Sequence, residues 1–159
     1  MTSPHLDEEP PEHRRYAAYL EVLDTATEAN ETELVTAVLG DEDAIMAQAA
    51  VVAHINRRAC QLLTDSRFAV WADSIAAVIM EWEFLTRRLH EWSLIRRIAL
   101  GQPWDREEVI TASDWCQRAA TTVPAVTSPQ ALALFADHGR TRRVRNAATL
   151  RLRNLEQSN

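Results

Sequence analysis

No lysine occurs anywhere in this sequence, and all 17 basic residues are arginines. That absence excludes Schiff-base catalysis and the phosphate-binding lysine of a P-loop. Glycine is nearly as scarce, with three in 159 residues, which leaves no Gly-rich loop for a nucleotide or dinucleotide. The two cysteines, Cys60 and Cys116, stand far apart without a second cysteine or histidine at metal-ligand spacing, and both read as buried thiols. Neither a Glu-x-x-His nor a His-x-x-x-His pair is present, so no metal centre and no cofactor are expected. No apolar run reaches the roughly 18 residues of a membrane span, and no basic-then-apolar leader opens the chain. A cytoplasmic protein without membrane contact is the expectation.

What is present points to helices. Apolar residues make up 47% of the chain and charged residues 25%, enough for one real core at this length. Residues 1–11, rich in proline and acids, read as a disordered lead-in, and residues 12–156 as a single helical domain. β-Branched residues do not alternate with polar ones, and no Asn-Gly or Asp-Gly turn marks a hairpin. Gly40, Gly101 and Gly139 each stand where an apolar helical pattern stops, the place of a left-handed cap.

The pattern predicts a first helix from Glu12 to about Ala29 and a short one from Thr32 to Leu39. A third follows, capped by Asp41 or Asp43, with Ile45, Val52, Ile55, Ala59 and Leu62 inward. From Ser66 to Leu100 neither proline nor glycine interrupts the chain. Phe68, Ile75, Trp82 and Leu89 fall at one heptad position, and Trp71, Val78, Leu85, Trp92 and Ala99 at the other. One helix over that stretch would be ~50 Å long, against roughly 40 Å for the diameter of a compact chain this size. An elongated molecule, a bend near Met80 to Glu83, or a seam partly covered by a second copy would each reconcile the two. Further on, Pro103 opens a helix to about Thr121, Ser128 and Pro129 start a short one, and Thr141 caps the last. The fold class expected is all-α, a multi-helix bundle or array built around the 66–100 segment.

Two stretches resemble HEAT-type helical repeats, in which a short helix, a turn and a longer helix with an Ala-rich face recur. Leu34 to Leu63 is the first. Leu132 to Leu155 is the second, with Val144, Arg145, Ala147 and Ala148 fitting the second helix of such a repeat. The resemblance covers about a third of the chain and implies a protein-binding scaffold.

Charge is segregated along the sequence. Residues 1–43 carry twelve acids against Arg14 and Arg15, whereas residues 140–159 carry six arginines against Glu156. Arg140, Thr141, Arg142, Arg143 and Arg145 crowd the start of a helix, where the macrodipole disfavours positive charge unless an anion is near. That anion could be the chain's own Asp41 to Asp43 segment, an acidic partner, or a phosphate. A net charge of −6 argues against general nucleic-acid affinity.

The tryptophans are the other candidates. Trp71, Trp82 and Trp92 lie on the heptad seam and Trp115 on the next helix, as core, as interface anchors or as the walls of a pocket. Glu83 and His90 beside that seam could serve as acid–base groups, although Glu83 and Arg87 at i,i+4 read equally as a solvated ion pair. His54, near Arg57 and Arg58, reads as an edge-of-core residue. The function expected is non-catalytic: a helical interaction or regulatory module that docks a protein partner, or a second copy of itself, through the Trp-bearing face and the Arg-rich turn. The alternative is a small-ligand-binding or accessory enzyme with an aromatic-walled pocket for an apolar or anionic molecule.

Overall fold

The computed structural model describes residues 10–159, and among them every regular element is an α-helix. The helices are α1 (Pro11–Asp24), α2 (Glu31–Leu39), α3 (Ala44–Leu62), α4 (Phe68–Ile79), α5 (Glu83–Ala99), α6 (Arg106–Thr111), α7 (Asp114–Thr122), α8 (Pro129–His138) and α9 (Arg142–Gln157). The lead-in expected over residues 1–11 lies, up to residue 9, outside the described residues, and Pro11 already opens α1. The two HEAT-like stretches each fold as a shorter helix, a turn and a longer helix, α2–α3 and α8–α9.

The expected starts follow capping chemistry. Asp43 accepts from Met46 N at 3.1 Å, Ser128 from Ala131 N at 3.2 Å and Thr141 from Val144 N at 3.2 Å, each satisfying a donor that the helix cannot. Among the described residues only Gly101 is left-handed, with φ 68°. It closes α5 with two backbone bonds, Gly101 N to Ile98 O at 3.3 Å and Gln102 N to Arg97 O at 2.9 Å. The left-handed caps expected at Gly40 and Gly139 are absent, their φ values being −83° and −53°. Gly139 is needed for space, since a Cβ there would stand 2.5 Å from Phe135 O and 2.8 Å from a Val144 methyl.

The uninterrupted stretch 66–100 is two helices, parted at residues 80–82. A continuous helix would offer the Ile79 carbonyl to the Glu83 N–H. Instead it takes the Trp82 N–H at 2.8 Å and the Thr86 hydroxyl at 3.3 Å. The break puts Glu83 in a first helical turn, where a negative charge is favoured, and turns Met80 out to solvent. The seven-residue edge is nonetheless interior: Phe68, Trp71, Ile75, Leu85, Leu89 and Trp92 are buried, and Val78, Trp82 and Ala99 are half-buried. The helix expected from Pro103 to Thr121 is likewise two, because the Ser113 hydroxyl accepts from Cys116 N and starts α7. On α3, Ile55, Ala59 and Leu62 are buried as expected, but Ile45 is exposed and Ala47, Ala50 and Val51 take the inner face. Cys116 is buried as expected, whereas Cys60 is exposed.

The helices group into two compact units. The first comprises residues 10–60 and Ala69–Arg88, and the second Gln61–Phe68 and Leu89–Asn159. In the first, α1 packs on α2, and Tyr19, Leu23, Val35, Val38, Ile55 and Ile75 form its apolar interior. In the second, α9 packs on α7 and α8, and α8 on α6. Arginines close two helix ends there. Arg96 donates to the carbonyls of Leu62 (3.4 Å), Leu63 (2.6 Å) and Asp65 (2.8 Å) while its guanidinium lies 4.8 Å over the Phe68 ring. Arg151 donates to Thr121 O at 2.8 Å, Val123 O at 3.3 Å and Val126 O, closing α7. Each guanidinium supplies donors to the last carbonyls of a helix, which have no intrahelical partner.

Candidate functional site

In the second unit, α7 and α9 flank a groove of about 350 Å³. Two hydroxyl caps and one buried amide set the helices in place. Ser113 caps α7 and donates its own proton to the Glu91 carboxylate, and Thr141 caps α9. The Gln117 amide, fully buried, donates to Val109 O (3.2 Å) and Ile110 O (3.1 Å) and accepts from Arg140 N (2.9 Å). It thereby fastens α7 both to the end of α6 and to the turn that launches α9.

This arrangement turns Trp115, Arg118, Ala119 and Thr122 of α7 toward Arg143, Val144 and Ala147 of α9. Trp115 is fixed edge-to-face against the buried Trp92, with ring centroids 5.4 Å apart and planes at 69°. Arg118 and Arg143 are exposed and make no ion pair with any described residue. The groove thus joins a rigid aromatic edge, small apolar side chains on its floor and two uncommitted guanidiniums, a set suited to an anionic group attached to an apolar one.

The Arg-rich turn is divided between internal and outward roles. Arg140 lies 3.3 Å from Asp114 and donates to Ala112 O at 3.4 Å, and Arg145 donates to Gly139 O at 2.8 Å. Arg142 and Arg143 point out to solvent. The internal acid is therefore Asp114, whereas in the expected segment Asp43 faces Arg15 at 4.0 Å and caps α3.

The remaining candidates are dispersed. Trp71 is buried in the first unit, where its indole N–H donates to Glu31 at 2.9 Å, and Trp82 is half-buried in the link between α4 and α5. Glu83 pairs with Arg87 at 3.2 Å on an open helix surface, and His90 is exposed. Of the residues singled out in the sequence, Trp115 and Arg143 line the groove, and the buried Trp92 backs the Trp115 ring.

A polar cluster inside the first unit escaped the sequence reading. Glu31, 4% exposed, accepts from His54 Nε2 (2.8 Å), Arg58 Nε (3.1 Å) and Trp71 Nε1 (2.9 Å). Burial pushes its pKa up, but the hydrogen bonds from His54, Trp71 and Arg58 and the Arg58 charge outweigh that and hold it at about 2. Its place in the first turn of α2 adds the favourable end of the helix dipole. On the far side of the imidazole, Arg57 approaches His54 Nδ1 at 3.1 Å and pairs with Asp24. The spacing His54, Arg57, Arg58 placed three polar groups on neighbouring faces of one helix. Nothing local pointed to Glu31, which arrives from another element.

Among the described residues no group of three potential ligands could hold a metal ion, and no helix is long and apolar enough to cross a membrane. Comparison with protein-family models, with curated proteins and with solved structures returned no match.

Proposed function

We propose that this protein is a non-catalytic interaction module whose α7/α9 groove docks an acidic segment of a partner protein. The observation that carries the reading is the pairing of Trp115 with Arg118 and Arg143 around one groove, both guanidiniums being without an ionic partner among the described residues. A carboxylate on the partner would meet a planar fork that binds it in bidentate fashion. An adjacent aliphatic or aromatic side chain would lie against Trp115 and Ala147, the combination of an aromatic anchor and arginine found at interface hot spots. Charge complementarity favours a protein segment over nucleic acid, because the basic surface is local and the chain as a whole carries −6.

Selection from a random twelve-residue peptide library tests this. The expected winners combine two or more Asp or Glu residues with a large apolar one. Their binding should weaken as salt rises from 0.05 to 0.5 M and should be lost in the double variant Arg118→Glu, Arg143→Glu. Winners without acidic residues, or winners that bind the double variant as well as the natural chain, would remove the reading.

A further inference from the structure

We infer that the cleft between α1 and α3 in the first unit is a second, separate site, for a small aliphatic monocarboxylate. Leu20, Leu23 and Ala53 form its apolar wall and Asp24, His54 and Arg57 its polar end, around a volume of about 250 Å³. That is below the ~300–1,000 Å³ typical of pockets for drug-sized ligands, which sets the occupant at metabolite size.

The polar end is built like a carboxylate receptor. Arg57 offers one guanidinium nitrogen to Asp24 and the other to His54 Nδ1 at 3.1 Å. His54 is itself 2% exposed and held through Nε2 by Glu31, which Arg58 and Trp71 fix in turn. A chain of hydrogen bonds from the core therefore orients the guanidinium in advance, and such pre-organisation lowers the entropic loss on binding. The Asp24 carboxylate occupies the position that a ligand carboxylate would take. Its pair with Arg57 is open to solvent, the two side chains being 56% and 42% exposed, and exposed pairs of this kind contribute little. Exchange of Asp24 for a ligand carboxylate costs correspondingly little, while the apolar wall adds contacts that Asp24 cannot make. A single guanidinium at one end and three apolar side chains at the other match one negative charge on a short branched chain.

The test uses the full-length protein, isovalerate as probe and isovaleramide as its uncharged control, followed by NMR at the Ala53 methyl, the His54 ring and the Trp71 indole N–H. Asp24→Asn removes the internal competitor and should tighten isovalerate binding by about three- to fivefold relative to the natural chain, the range an exposed pair allows. Arg57→Gln should abolish saturable shifts while leaving the far-ultraviolet spectrum unchanged, and isovaleramide should bind at least about tenfold more weakly, as expected when a charge-assisted contact is lost. An Asp24→Asn protein that gives no saturable shift with isovalerate, or equal binding of acid and amide, overturns the inference. Because the peptides of the α7/α9 groove are scored separately, failure here leaves that reading intact.

Discussion

The imidazole of His54 donates its Nε2–H to Glu31 across 2.8 Å, joining residues 23 apart in sequence into a buried pair. The partnership makes stability depend on acid. The folded-state pKa of Glu31 is depressed from 4.5 to about 2, so its contribution is complete above 4.5 and is lost as pH falls through that window. The shift corresponds to about 3 kcal/mol at neutral pH. Denaturant melts between pH 7 and pH 2 should show that loss in the natural chain and a flatter profile in Glu31→Gln. Asp65, held at about 2 by Arg67 on the surface, titrates in both proteins and cancels from the difference.

Gln117 is the fastener of the second unit. Substitution by Leu leaves two carbonyls and one N–H without their partner inside the protein, a loss of about 3 kcal/mol. For a chain of this size the melting temperature should fall by roughly 6–12 °C, read by calorimetry.

Gly139→Ala should destabilise by about 1–3 kcal/mol, because the new methyl would press on Phe135 O and on Val144. Gly40→Ala is the contrast. Its Cβ would meet only carbonyls at 3.5 and 3.6 Å, and its melting temperature should stay within about 2 °C of the natural protein's.

Arg118→Ala and Arg143→Ala should leave thermal stability within about 0.5 kcal/mol, since neither side chain is tied to a described partner. Arg151→Ala, which strips three carbonyls of α7 and its following turn of their donor, should lower it by about 2 kcal/mol. Thermal melts of the three variants separate an outward arginine from an inward one.

Much of the fold was legible because it depends on signals that act over a few residues. Ser128 with Pro129, and Thr141, announced their helices through capping chemistry, and the seven-residue edge from Phe68 to Ala99 marked what would be interior. The breaks were not legible where they depend on alternative partners for backbone groups. Residues 80–82 contain neither proline nor glycine, and the chain turns where the Ile79 carbonyl takes the Trp82 N–H and the Thr86 hydroxyl in place of the Glu83 N–H. Ser113 looked like one more polar residue until its hydroxyl proved to cap α7. At the candidate groove, Trp115 and Arg143 could be singled out by type, but their meeting depends on Gln117, an unremarkable residue in the sequence. Glu31 was hidden for the same reason: a buried carboxylate reads as a surface acid until the elements that surround it are known.

The two thiols differ in accessibility, Cys60 lying on the exposed side of α3 and Cys116 inside the second unit on α7. A maleimide dye added under native conditions will therefore modify a single position, giving a homogeneous label beside the α3 cluster without engineering. Modification of the second thiol becomes a clock, since its rate reports how often α7 lifts from its neighbours. A peptide seated along that helix should slow the clock, so one mass spectrum taken over time would register occupancy of the groove without any label on the peptide.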